Sequence, residues 1–208
     1  MIKAYKNLVA TLCIITFAFV VESPCALSKD KNFSGRVIDA ETKEPIEGAV
    51  VVAYWYEARS TLLGESTRMK DVEECVTDKN GEWKIVGEEG KSFNPNPHQS
   101  LITGAYYTRE PLFIAFKPGY CPWPEGFFVE ACQGKIKPGG NGEIRRGVTV
   151  ELPKLSKKED RLRFVPDIVG ESLAQFRKQK AFMRLINEER KDLDLGSNEW
   201  YEELVNEN

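Results

Sequence analysis

The stretch AVVVAYWYE, from Ala49 to Glu57, constrains this chain more than any other. In an extended strand successive side chains point to opposite faces. Val50, Val52, Tyr54 and Tyr56 therefore share one face, and Ala49, Val51, Ala53 and Trp55 share the other. Both sets are apolar. Such a strand leaves neither face to water, so it must lie centrally with a layer on each side.

The neighbouring segments read as short strands. FSGRVID (Phe33–Asp39) is the first, and ETKEPIEG is the turn after it. Ser60–Asp71 is polar and has no period, which predicts a loop. CVTDKNGEWKIVG carries Asn80-Gly81, a strong hairpin dipeptide because both central turn positions favour positive φ. Trp83 and Ile85 then face one way, and Glu82 and Lys84 the other. GEEGKSFNPNPHQSLITG has no period and reads as a long loop. PLFIAFKPGY is a further strand and GKIKPGGNGEIRRG a linker. VTVELPKL is the last strand, with Val148, Val150 and Leu152 on one face. Short strands between Gly, Pro and Asn loops predict a mainly β, antiparallel sandwich rather than a βαβ fold.

After Leu155 the period changes to that of a helix. SKKE (Ser156–Glu159) fits a capping box. Pro166 interrupts the first short helix, and Asp167 is placed to cap the next. Val169, Leu173 and Phe176 recur at helical spacing, and Phe182, Leu185 and Ile186 continue it on a shifted face. Gly196 is a natural stop, with Ser197 or Asn198 opening a last turn that carries Trp200, Tyr201 and Leu204. This apolar stripe has two destinations, the sandwich itself or a protein partner.

At the other end, Lys3 and Lys6 precede LVATLCIITFAFVV, an uncharged run of 14 residues from Leu8 to Val21. A membrane-spanning helix needs about 20 residues, so the run reads as the core of a secretory signal, with Ala26 and Ser28 as small residues before a cut. The expected organisation is a signal peptide over 1–28, a β domain over 33–155 and a helical extension over 156–208. The location is then periplasmic or extracellular. The alternative is a lipoprotein acylated at Cys25, the one route by which the sequence predicts membrane contact. Losing Lys3, Lys6 and Glu22 moves the formal charge from −3 to −4, which argues against a nucleic-acid partner. Of the cysteines, Cys75, Cys121 and Cys132 remain. In an oxidising compartment an odd number implies one bridge and one spare thiol. Cys121 and Cys132 bracket a short loop and are the expected pair, with Cys75 either buried or the true partner of one of them.

The β segment resembles a known family. SGRVIDAETKEPIEGAVV, then ECVTDKNGEWKIV, then LFIAFKPGY, are similar to the carboxypeptidase regulatory-like domain. The matching residues are Gly35, Val37, Asp39, Thr42, Pro45, Ile46, Gly48, Ala49, Val51, Thr77, Asp78, Gly81, Trp83, Pro118, Gly119 and Tyr120. The resemblance covers roughly 33–155 and implies a transthyretin-like (prealbumin-like) sandwich of about seven strands. It implies no metal and no catalytic residue, and fold alone carries no activity across.

The residues agree. His98 is the single histidine, so neither a zinc peptidase ligand set nor a histidine-based triad can be assembled around it with the usual partners. Asp78, Asn80 and Glu82 lack the frame of a calcium loop. The last strand has no Asn for an internal isopeptide crosslink. No cofactor is expected. What remains is binding. Tyr106, Tyr107, Trp123, Phe127 and Phe128 are aromatic residues in expected loops, where exposed rings mark interaction sites. The sequence thus predicts a non-catalytic exported module that binds a protein partner in the cell envelope. A carbohydrate-binding module using the loop aromatics is the alternative.

Overall fold

The computed structural model describes residues 32–87, 95–124, 132 and 147–207. The expected signal peptide, Cys25, Phe127 and Phe128 lie outside these residues. Seven strands and five helices are described. The strands are β1 (Asn32–Asp39), β2 (Val50–Thr61), β3 (Gly64–Val76), β4 (Glu82–Val86), β5 (Tyr107–Thr108), β6 (Leu112–Phe116) and β7 (Val148–Leu152). The helices are α1 (Pro97–Thr103), α2 (Lys158–Arg161), α3 (Leu173–Phe176), α4 (Lys180–Asp192) and α5 (Glu199–Asn206).

One sheet has the order β4-β1-β7. In the other, β2 is central, with β3 on one side and β5 and β6 on its other side. The first sheet is mixed, because β1 pairs antiparallel to β4 but parallel to β7. This corrects the expectation of a wholly antiparallel sandwich. The chain builds the entire second sheet between β1 and β7, and a connection of that length permits a parallel return.

The two faces of β2 explain the architecture. Val51, Ala53 and Trp55 join Phe33, Val37, Trp83, Ile85, Phe113, Val150 and Leu152 in the core between the sheets. Phe33 meets Phe113 edge-on at 5.4 Å, and Trp83 lies 5.8 Å from the same ring. On the opposite face Val50, Val52, Val72, Ile114 and Phe116 pack against Phe182, Met183, Ile186, Tyr201 and Leu204. The molecule is therefore three layers: sheet, sheet and helices.

Of the two destinations read from the sequence for the helical stripe, the chain's own sheet takes it. Phe182 and Ile186 are buried, Val169, Phe176 and Leu185 pack partly against them, and only Leu173 is largely exposed. Without these helices the apolar outer face of β2 and β6 would meet water, and burying it is the main driving force for docking them.

Local expectations fared unevenly. Ser60–Asp71 is not a loop but the end of β2 and most of β3. The Asn80-Gly81 turn joins the two sheets instead of closing a hairpin, since β4 pairs with β1. Asp78 Oδ1 accepts the N–H groups of Asn80 and Glu82, both at 2.8 Å, and redirects the chain. α2 has Lys157 at its N-cap with no side-chain bond, so SKKE forms no capping box. Asp167 caps nothing helical; α3 is capped by Ser172. α5 begins after Asn198, as read from the sequence.

Candidate binding surfaces

Beyond the core, β2 and β3 continue as a two-stranded arm. Trp55 faces Asp71 and Tyr56 faces Met69, so Lys70 is an extra residue, a bulge that bends and twists the outer hairpin. Pairing runs on through Glu57↔Arg68 to Thr61↔Gly64. The loop that closes it is Leu62-Leu63, with the positive φ of 133° falling on Gly64. Two-residue hairpin loops favour Asn and Gly, so turn chemistry gives no reason for leucines here. Leu62 is 93% and Leu63 101% exposed.

The arm is braced from both sides. The carboxylate of Glu57 is buried and accepts Arg68 N–H groups at 2.7 and 3.2 Å, with Lys70 Nζ at 3.9 Å. Tyr106 lies under two guanidinium groups, Arg68 at 4.1 Å and Arg59 at 5.1 Å from its ring. The Tyr107 hydroxyl and Arg109 both donate to Glu65, next to the turn. α1 packs alongside. Its Asn96 and Gln99 form a reciprocal capping box, and Ser100 Oγ accepts the Ser60 N–H at 2.9 Å. The same helix carries Leu101 and Ile102, the latter 84% exposed. His98 is exposed on the same helix.

Among the described residues, Tyr106, Tyr107 and Trp123 do not form an exposed platform. Trp123 is 6% exposed, in the core between the sheets, where it bridges to Ala115. Tyr107 is 8% exposed, and the Tyr106 ring already carries the guanidinium groups of Arg59 and Arg68. Trp123 is buried because its segment bridges to β6 over the core, and Tyr107 because it lies in β5, paired with β2. Cys121 pairs with Cys132, at a Cα separation of 6.1 Å, and Cys75 is a free, half-buried thiol.

A second surface lies on the outer face of the first sheet. Ser34 and Arg36 of β1, Glu82 and Lys84 of β4 and Thr149 of β7 line an open groove of about 690 Å³, together with Asp78 and Cys75. Arg36 pairs with Glu82 at 2.8 Å across the strands, and both are about half exposed. Surface pairs of this kind contribute little to stability, which leaves the groups available to another molecule.

Sequence reasoning missed both surfaces. The leucines stood in a segment read as loop, although a Leu-Leu-Gly turn between two Thr/Ser-rich runs was the available signal. The groove needed the strand pairing, which joins residues from three distant segments.

Among the described residues, no three or more His, Cys, Asp or Glu side chains are grouped to hold a metal, and no helix is long and apolar enough to cross a membrane. No family model matches the chain, and no curated protein matches it either. Among solved structures, a variant of catechol 1,2-dioxygenase from Acinetobacter radioresistens is similar at 18% identity and a TM-score of 0.31, over 68% of this chain and 55% of that one. This chain thus spans about half the length of that enzyme, and a likeness so distant says nothing about activity.

Proposed function

We propose that this chain is an exported, non-catalytic β-sandwich module of the transthyretin-like, carboxypeptidase regulatory-like kind, acting as a structural or adaptor protein that binds a protein partner in the cell envelope. One observation carries the reading: two unlike surfaces stand at opposite ends of β3. The apolar turn precedes its first residue, Gly64, and the charged groove reaches Cys75 near its last. At about 3.3 Å per residue these ends are roughly 35 Å apart along the strand. A strand pair between dissimilar contact surfaces suits a bridging role better than a single pocket does.

The family-like residues support the sandwich type by sharing one junction. Asp39 Oδ1 accepts the N–H groups of Glu41 and Thr42 at 2.8 and 2.9 Å. The Thr77 hydroxyl accepts the Ala49 N–H at 2.8 Å and donates to the Ile46 carbonyl at 2.7 Å. Val37 donates to Gly81 and accepts from Ile46. The Cys121–Cys132 pair is compatible with an oxidising compartment. Export also rests on the leader read from the sequence.

The partner surface is the groove, where Arg36, Lys84, Glu82 and Asp78 alternate in charge and fit a segment of opposite pattern. The oxidised Lys29–Asn208 protein, used as bait in native envelope extract, should recover one protein in stoichiometric amount. Arg36→Glu with Lys84→Glu should abolish that recovery. Unchanged recovery by this variant contradicts the assignment of the groove.

A further inference from the structure

The apolar end of the arm invites a more specific reading. We infer that it docks on an anionic lipid surface, with Leu62 and Leu63 entering the acyl boundary. This deepens the adaptor reading by naming what its second end holds, and it requires no acyl chain at Cys25. The order of side chains along the arm carries it. The two leucines stand foremost, almost fully exposed. Directly behind come Ser60, Thr61, Ser66 and Thr67, and Glu65, which gathers the Arg109 guanidinium and the Tyr107 hydroxyl. Glu65 follows Gly64, so its backbone lies about 7 Å behind Leu63. Hydroxyl, phenol and guanidinium groups at that depth match the headgroup layer, which flanks the hydrocarbon core by several ångströms on each side.

Charge points the same way. Arg68 and Arg109 are 56% and 50% exposed, while the carboxylates they pair with, Glu57 and Glu65, are 6% and 31% exposed. The arm therefore shows water more cation than anion, although the chain as a whole is net negative. Glu110, exposed beside Arg109, offsets part of this. A protein groove would need only the leucines. Exposed arginines behind them favour phosphate headgroups.

Flotation of the Lys29–Asn208 protein with protein-free vesicles tests this. It should float with phosphatidylethanolamine–phosphatidylglycerol vesicles, and less with phosphatidylcholine vesicles or in high salt, which screens the exposed arginines. Leu62→Ser with Leu63→Ser should lower the bound fraction at least about ten-fold, as expected for withdrawing two large aliphatic side chains from hydrocarbon. Unchanged melting of the variant separates lost docking from lost folding. Absence of flotation with either lipid overturns the proposal, as does flotation that the leucine variant leaves intact. So does crosslinking of Leu63 to a protein in envelope extract while vesicles stay unbound; that outcome would make the arm a second protein contact. Because the vesicles contain no protein, none of these failures touches the groove and its partner.

Discussion

Glu74, on strand β3, holds the first turn of helix α4 by accepting the Phe182 N–H at 2.9 Å with one carboxylate oxygen, while the other oxygen accepts the Ala181 N–H at 2.7 Å. No residue of α4 itself caps that helix; its N-cap, Gln179, makes no capping bond. The second sheet thus supplies the missing acceptor for the helical layer, at the place where a helix favours negative charge.

Burial pushes the Glu74 carboxyl above the ordinary glutamate range, against the opposite pull of those two N–H groups and Arg184. A carboxyl raised on folding binds more protons folded than unfolded. Its contribution to stability is therefore best below the unfolded value of about 4.3 and declines as pH rises through the folded value. Glu74→Gln removes this dependence. Denaturant titrations at several pH values should show wild type losing ground to the variant as pH rises across that window, and a constant difference would contradict the burial account.

Asp39 behaves in the opposite sense. Burial pushes its carboxyl up, but the N–H groups of Thr42 and Glu41, with Tyr120 beside them, outweigh it and leave the group below the ordinary aspartate range. Its stabilisation is present above about 3.9 and is lost as pH falls through the folded value. Asp39→Asn should cost stability at neutral pH and show a smaller loss than wild type on acidification, measured by the same titrations.

Arg161 and Glu189 tie α2 to α4, through N–H···O contacts of 2.8 and 2.6 Å, and Glu189 also accepts the Gly119 N–H at 2.8 Å. Glu189 is almost wholly buried. Arg161→Met strands that charge and should cost about 3–5 kcal/mol, whereas Arg161→Met with Glu189→Met should recover part of the loss. Equal losses in the single and double variants would show that burial of the carboxylate is not the cause.

Gly35 is a matter of space. A Cβ there would meet the Val148 carbonyl at 2.3 Å and Trp83 Cζ2 at 2.9 Å. Gly35→Ala should destabilise by about 1–3 kcal/mol, as overpacking does, read by thermal unfolding. Leu62→Ser with Leu63→Ser, by contrast, should change stability by no more than about 0.5 kcal/mol, because nothing in the fold depends on them.

The central strand was legible because β2 is apolar on both faces, and that pattern alone demanded a layer on each side. The final helix was equally legible, since Asn198 precedes an amphipathic run and caps it. β3 was not. Its outer half is exposed on both faces, so no burial pattern marks it, and only pairing with β2 makes it a strand. The parallel β1–β7 pair joins residues more than a hundred positions apart, a relationship no local pattern encodes. The aromatic residues misled for a related reason: Trp123 bridges to Ala115 from an irregular segment, and Tyr107 lies in a two-residue strand too short for any period to mark. The groove assembles only after three strands align, so its charges looked like ordinary surface residues.

Co-flotation tests the bridging claim most directly. Anionic vesicles, native envelope extract and the Lys29–Asn208 protein would be mixed, and the floating proteins identified by mass spectrometry. The account predicts one extract protein that floats only when this chain is present, and that is lost both with Leu62→Ser/Leu63→Ser and with Arg36→Glu/Lys84→Glu. The second variant should itself still float. Failure to recruit any protein, or recruitment indifferent to both variants, would contradict a module that joins two partners through opposite ends of β3.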